Sequence, residues 1–208
     1  MNAFVLAGGQ SLRMGRDKAL LELNGVPLIE IALEKMRALS FSPRIVGSRP
    51  DLSRFAPVIP DIHPRSGPLG GMEVALAASD EDQNLFLAVD LPWLPVDFLR
   101  WMIARAGQTG ALATIPRLQG LPQPLCAIYH KALLPYAQDA LSAGDAKIMH
   151  AVERTAGATG LGIDSFDVES VAAAQSWEQA LPLHRWFDNL NTPSEFERAA
   201  LEQSARIR

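Results

Sequence analysis

Leu6-Ala7-Gly8-Gly9-Gln10-Ser11-Leu12-Arg13-Met14-Gly15-Arg16-Asp17-Lys18 follows directly on a short apolar run, Ala3-Phe4-Val5-Leu6, that has the length and composition of a buried strand. A strand that ends in Gly8 and Gly9 and runs on into Arg13, Arg16 and Lys18 is suited to holding phosphates. Glycines let backbone N–H groups approach an anion with no Cβ in the way, and the cations supply positive charge. The spacing excludes two familiar loops. Gln10 stands where the dinucleotide fingerprint G-x-G-x-x-G needs its second glycine, and Lys18 lies three residues past Gly15 and precedes Ala19, which breaks the P-loop pattern. A bare Gly-Gly pair reads as an ordinary turn. Glycines, an arginine, a third glycine and an Asp-Lys pair in one short loop exceed what a turn requires.

Composition sets the frame around this loop. With 208 residues, 48% of them hydrophobic, the chain is long enough for one domain with a sizeable core. The net charge of −4 gives no global basic field for nucleic acid, and no Lys/Arg run suggests a membrane surface, so the cationic loop reads as a small-anion site. Cys126 is the only cysteine, which excludes an internal disulfide, and its apolar neighbours make it a packed strand residue rather than a nucleophile. No apolar run reaches the length of a membrane span, and the N-terminus carries no signal-type pattern. A cytoplasmic protein is expected.

Beyond the loop, residues 27–39 read as a helix with Leu28, Ile31, Ala32, Met36 and Leu39 near one face. Residues 44–48 read as a strand, and 58–60 as another brief one. Strand, helix, strand is the βαβ unit, so a parallel sheet covered by helices is expected. The segment 57–68 holds four prolines and reads as a stiff surface loop, His63 included, with a helix opening near Met72. Asn84-Leu85-Phe86-Leu87-Ala88-Val89-Asp90 is the clearest buried strand. Ligands of open α/β sheets sit outside the carboxyl ends of the strands, so Asp90 falls where a carboxylate can hold a Mg²⁺ ion that also takes phosphate oxygens. The competing reading of Asp90 is a helix N-cap, which a helix start near Pro95 weakens. A helix is expected over 95–106, strands over 110–115 and near 125–129, helices over 132–143 and 146–156, and a short strand over 161–163. Gln123 sits in a turn feeding a core strand. Residues 168–186, rich in alanine and carrying Trp177 and Trp186, read as a packed helical addition. Thr192-Pro193-Ser194-Glu195 forms a capping box, which leaves Asn189 and Asn191 unexplained by local structure.

The run from Leu6 to Lys18, continued by Ala19-Leu20-Leu21-Glu22-Leu23-Asn24-Gly25-Val26-Pro27-Leu28, resembles the signature of the nucleotidyltransferases that build dinucleotide forms of the molybdenum cofactor. Within that group it resembles the molybdenum cofactor guanylyltransferase family. Cytidylyltransferase relatives tend to show Leu-Ala-Ala-Gly where this chain has Leu6-Ala7-Gly8-Gly9. Further matches are Asp61 with Gly67-Pro68-Leu69-Gly70-Gly71, Asp90 with Pro92 and Pro95, Gln123-Pro124-Leu125 with Tyr129, and Asn189-Leu190-Asn191-Thr192-Pro193.

The resemblance implies a three-layer α/β/α sandwich with a mostly parallel Rossmann-like sheet of the nucleotide-diphospho-sugar transferase type, spanning 1–208 with an unassigned insertion near 168–186. It implies nucleotide binding by Leu6, Ala7, Gly8, Gly9, Lys18, Asp61 and Asp90, and catalytic roles for Arg13, Lys18 and Asp90. It also implies Mg²⁺ on Asp90 and acceptor binding by Asn189 and Asn191. The implied reaction moves GMP from GTP to molybdenum-molybdopterin with release of pyrophosphate. Molybdoenzymes or other cofactor-synthesis proteins are the implied protein partners. One departure stands out. Some members carry asparagine after the second strand where this chain has Gly47-Ser48-Arg49, so base or ribose contacts there fall to backbone or Ser48. Three alternatives stay open: a cytidylyltransferase for the same cofactor, a nucleotidyltransferase for another small acceptor, and a non-catalytic nucleotide-binding accessory protein. The joint presence of Arg13, Lys18, Asp61 and Asp90 argues against the last.

Overall fold

The computed structural model describes residues 1–8, 17–63, 66–177 and 182–188. Strand β1 (Asn2–Leu6) is followed, past the phosphate-loop segment, by a 3-10 turn at Lys18–Leu20. A small hairpin of β2 (Glu22–Leu23) and β3 (Val26–Pro27) turns through Asn24 and Gly25, both at positive φ, the Asn-Gly geometry that matches strand twist. Helix α1 (Leu28–Arg37) begins directly after Pro27 and buries Leu28, Ile29, Ala32, Leu33 and Met36. Then come β4 (Arg44–Val46), a 3-10 turn at Pro50–Arg54, and β5 (Val58–Ile59). Helix α2 (Gly67–Ala77) leads to β6 (Gln83–Ala88), and α3 (Val96–Thr109) ends at Gly110 in the left-handed region. Strands β7 (Ala113–Leu118) and β8 (Leu121–Pro122) form a second hairpin, followed by β9 (Cys126–His130). A 3-10 turn at Lys131–Leu133, helices α4 (Leu134–Ser142) and α5 (Ile148–Thr159), strand β10 (Ile163–Asp167), helix α6 (Val168–Gln175) and a 3-10 turn at Leu183–Arg185 complete the described elements.

The main sheet runs β10-β7-β9-β6-β1-β4-β5, with β8 paired to β7. β1 pairs in parallel with β4 and β6, β4 with β5, and β7 with β10. Only β9 and β8 run against their neighbours. Along β1, Ala3 and Val5 enter one apolar cluster and Phe4 enters the other; β6 divides the same way, Leu85 and Leu87 against Phe86. That period of two splits the helices between the faces. α1, α3 and α6 cover the Val5 side, while α2, α4 and α5 cover the Phe4 side, where Phe4 and Phe86 stack at 5.3 Å. The architecture is the expected three-layer α/β/α sandwich with a mostly parallel sheet.

Several boundaries differ from the sequence reading, for physical reasons. α2 starts at Gly67 and not near Met72, because Pro68 suits a first turn and the glycines within the helix serve close packing rather than breaking it. A Cβ on Gly70 would lie 2.8 Å from Ser66 Cβ, and one on Gly71 would lie 3.3 Å from Val46 Cγ1. β6 ends at Ala88, so Val89 and Asp90 already belong to the turn. β10 runs over Ile163–Asp167 instead of 161–163. It is a polar edge strand that buries only Phe166, so it carries no apolar run to read. Arg105 forks onto Asp164 at 2.7 Å, and Trp101, which departs from a clean helical stripe, packs edge-on against Phe166 at 4.9 Å. Val168, Ala172, Trp186 and Phe187 are buried in the same cluster as α1 and α3.

Candidate active site

The parallel strands β5, β4, β1 and β6 bring their carboxyl ends to one edge of the sheet, and the backbone there is knitted strand to strand. Ala7 N–H donates to Val46 O at 3.0 Å, Gly47 N–H to Ile59 O at 3.0 Å, and Val89 N–H to Leu6 O at 3.1 Å. Four positions follow from this. Gly8 leaves β1, Gly47 leaves β4, Asp61 lies just past β5, and Asp90 just past β6. Their approach is close. A Cβ on Gly47, whose φ is +144°, would sit 2.9 Å from Gly8 N and 3.0 Å from Gly8 Cα. A Cβ on Gly8 would lie 3.5 Å from Asp61 Oδ2, and one on Gly71 would lie 3.7 Å from Asp61 Oδ1. The Asp61 carboxylate therefore stands between the start of the phosphate loop and the N-terminal half of α2. Burial pushes its pKa above the ordinary carboxylate range, against the pull of the Ser48 backbone N–H. A partly dehydrated carboxylate in that position is a ready acceptor for hydroxyl or N–H donors of a ligand.

Lys18 and Asp90 meet across the mouth of this edge. Lys18 Nζ lies 2.5 Å from Asp90 Oδ2, with 16% and 18% of the two side chains exposed. Asp90 Oδ1 is buried and has no hydrogen-bond partner among the described residues. An orphaned carboxylate oxygen beside a lysine fits a hard divalent cation, which takes oxygen ligands and keeps waters or phosphate oxygens in its shell. Among the described residues no three His, Cys, Asp or Glu side chains gather into a metal cage, so such an ion would complete its shell from substrate and water. The turn that carries Asp90 is braced from α1: Lys35 Nζ donates to Leu94 O at 2.8 Å, and burial lowers the Lys35 pKa to about 8.

Asp17, the first described residue after 9–16, belongs to an ion cluster. Asp17 caps the 18–20 turn by accepting from Ala19 N–H at 3.0 Å. Arg49 Nη1 donates to Asp17 Oδ1 at 2.8 Å, and Arg49 Nη2 donates to Asp17 Oδ2. On its other side Arg49 Nε reaches Asp51 Oδ1 at 2.9 Å. Hydrogen bonding to Asp51 and to Asp17 holds the guanidinium pKa above its ordinary value, and Asp51 is drawn below its own.

Of the residues singled out from sequence, Leu6, Ala7, Gly8, Lys18, Asp61 and Asp90 come together on this one edge. Gly9, Arg13, Asn189 and Asn191 lie outside the described residues. Gln123 bonds locally, Nε2 to Leu121 O at 3.2 Å, as a turn residue does. Cys126 is buried, and burial pushes its thiol well above the ordinary range, so it is no nucleophile. His63, an exposed loop residue, stands 3.7 Å from the buried carboxylate of Glu73 on α2. Sequence reasoning named Gly47-Ser48-Arg49 only for base or ribose contacts and missed the tight approach of Gly47 to Gly8, the pairing of Arg49 with Asp17, and Lys35; Asp17 and Leu94, which Arg49 and Lys35 reach, are far from them in the chain.

The family model for the MobA-like NTP transferase domain matches residues 3–158. A molybdenum cofactor guanylyltransferase of Syntrophotalea carbinolica is 31% identical over 95% of this chain and 89% of its own length. Another, of Vibrio atlanticus, is 34% identical over 70% of this chain and 76% of its own. Among solved structures, molybdopterin-guanine dinucleotide biosynthesis protein A of Archaeoglobus fulgidus superposes with a TM-score of 0.78 at 27% identity, covering 99% of this chain and 100% of that one. By the match of its family model over residues 3–158 and by these relatives, the chain belongs to the MobA-like NTP transferase family.

Proposed function

We propose that this chain is a molybdenum cofactor guanylyltransferase, moving GMP from GTP to the phosphate of molybdenum-molybdopterin and releasing pyrophosphate. The names of its relatives support the reaction, and the Lys18–Asp90 pair at this sheet edge, with Asp90 Oδ1 unpartnered among the described residues, is the observation that carries it. In this reading the backbone of Leu6, Ala7, Gly8 and Gly9 cradles the nucleotide, and Asp61 accepts from its sugar or base. Arg13 and Lys18 neutralise the triphosphate. Asp90 is the residue to hold Mg²⁺, which supplies charge neutralisation on phosphate oxygens when bound. Asn189 and Asn191, which lie outside the described residues, are assigned to acceptor binding by the family resemblance.

The chemistry needs no covalent intermediate. An oxygen of the acceptor phosphate attacks the α-phosphorus of GTP, the bond to the bridging oxygen of the β-phosphate breaks, and pyrophosphate leaves with that electron pair. The work left to this chain is positioning and charge stabilisation. The contact of Lys18 with Asp90 supports a part for it, since a ligand phosphate arriving beside Asp90 would meet the Lys18 ammonium group. The reading takes residues 1–208 as one catalytic unit with 168–186 as an insertion. It implies a cytoplasmic enzyme that hands its product to molybdoenzymes or other cofactor-synthesis proteins. No helix among the described residues is long and apolar enough to cross a membrane. The direct test is Lys18→Ala: turnover should fall by about 10²-fold or more, the order seen for one preorganised transition-state donor. An unchanged chemical step removes Lys18 from the mechanism.

A further inference from the structure

We infer that Arg49 is a positioning residue that fixes Lys18 by clamping the far end of the phosphate loop through Asp17. The inference rests on the nucleotidyltransferase reading, and it assigns a task to a side chain paired with Asp17 and Asp51. Both ends of the loop bear on the same short turn after β4. At the near end Gly8 abuts Gly47 so closely that a Cβ on Gly47 would meet Gly8 N at 2.9 Å. At the far end Asp17 is forked by Arg49, two residues beyond Gly47. Asp17 in turn caps the three-residue turn on which Lys18 is the first residue, through Ala19 N–H. Arg49 is therefore linked to the Lys18–Asp90 pair by one carboxylate and one turn of backbone.

The cluster is built for orientation. Asp51 holds the guanidinium from behind, with Nη2 to Oδ2 at 2.6 Å, so the planar fork presented to Asp17 has its direction set by two acids. Side-chain exposure is 22% for Arg49 and 31% for Asp17 but 50% for Asp51, so the contact to Asp17 is the less screened by solvent and the one to Asp51 the more screened. A lysine at position 49 would keep the charge and lose the fork, because an ammonium group is a point charge with no bidentate plane. None of the three residues belongs to the buried apolar clusters.

The test is a double-mutant cycle on triphosphate affinity in the full-length protein with Mg²⁺, using whichever of GTP, CTP, ATP and UTP the wild type binds most tightly. Arg49→Ala should weaken binding about tenfold when Lys18 is present, and by less than twofold in a Lys18→Ala background, with both variants folded by circular dichroism. Asp17→Asn should reproduce the loss, Asp51→Asn should weaken binding less than threefold, and Arg49→Lys should fail to restore it. Full restoration by Arg49→Lys, or an Arg49→Ala loss that is undiminished without Lys18, overturns the inference. Tightest binding of another triphosphate than GTP contradicts the guanylyl reading while leaving this cycle intact. A wild type that binds none of the four ends both.

Discussion

Replacing Gly47 with alanine isolates the contact on which the sheet edge depends. The residue sits at φ +144°, and its added Cβ would meet three backbone atoms: Gly8 N at 2.9 Å, Gly8 Cα at 3.0 Å and Ala7 C at 3.3 Å. Backbone atoms of a paired strand end cannot swing aside as a side-chain tip does. The disallowed φ costs about 1–3 kcal/mol and the overpacking about 1–3 kcal/mol more. A total of about 2–6 kcal/mol, set against the roughly 5–15 kcal/mol of a typical domain, weakens the fold substantially. At about 2–4 °C per kcal/mol for a chain of this size, Tm should fall by about 4–24 °C. Gly25→Ala is the internal control, for Gly25 has φ +78° and nothing within 4 Å of the added Cβ. It should lose only the backbone cost, about 1–2 kcal/mol. Because relief at position 47 must come from moving Gly8, triphosphate affinity should fall about tenfold in Gly47→Ala, a loss of about 1.4 kcal/mol, and stay level in Gly25→Ala. Urea unfolding and nucleotide titration on the two variants decide the matter. If Gly47→Ala proves no less stable than Gly25→Ala, the tight approach of Gly47 to Gly8 is not a feature of the folded protein.

Two further expectations concern the rest of the fold. Lys35 has a folded pKa of about 8 against an ordinary 10.5, so between those values the unfolded chain binds a proton that the folded chain does not. Its contribution to stability therefore rises with pH through that window, and the stability difference between wild type and Lys35→Met should shift by about 2–3 kcal/mol in favour of wild type from pH 7 to pH 10; a difference that stays flat shows that Lys35 is not buried beneath the Asp90 turn. Trp186 is wholly buried, 5.4 Å from Phe98 and 6.1 Å from Trp177 by ring centroids. Trp186→Ala should cost about 3–5 kcal/mol in urea unfolding, and a loss under 1 kcal/mol would separate this segment from the core.

Local chemistry was legible in the sequence, and distant pairing was not. β1 and β6 declared themselves because strands buried on both faces read as unbroken apolar runs, and parallel strands put Gly8 and Asp90 on one edge without further information. Lys18 was legible as a phosphate-loop cation, but its pairing with Asp90, 72 residues on, was not. Arg49 and Asp17 are 32 residues apart, and nothing in either neighbourhood marks them as partners. The start of α2 was misplaced because glycine is read as a helix breaker, whereas Gly70 and Gly71 are required by the closeness of Ser66 and the sheet. β10 was misread because an edge strand with one buried side chain lacks the periodic signal of a core strand. The aromatic residues of 168–186 became intelligible only through Phe98, Trp101 and Phe166, which come from α3 and β10.

Pyrophosphate release with Mg²⁺ and purified molybdenum-molybdopterin, compared across GTP, CTP, ATP and UTP, tests the central claim most directly. The account predicts release with GTP, little with the other three, and a loss of about 10²-fold or more in Asp90→Asn. Release driven by CTP would contradict it and move the chain to cytidylyl transfer, while equal release from wild type and Asp90→Asn would contradict the site itself.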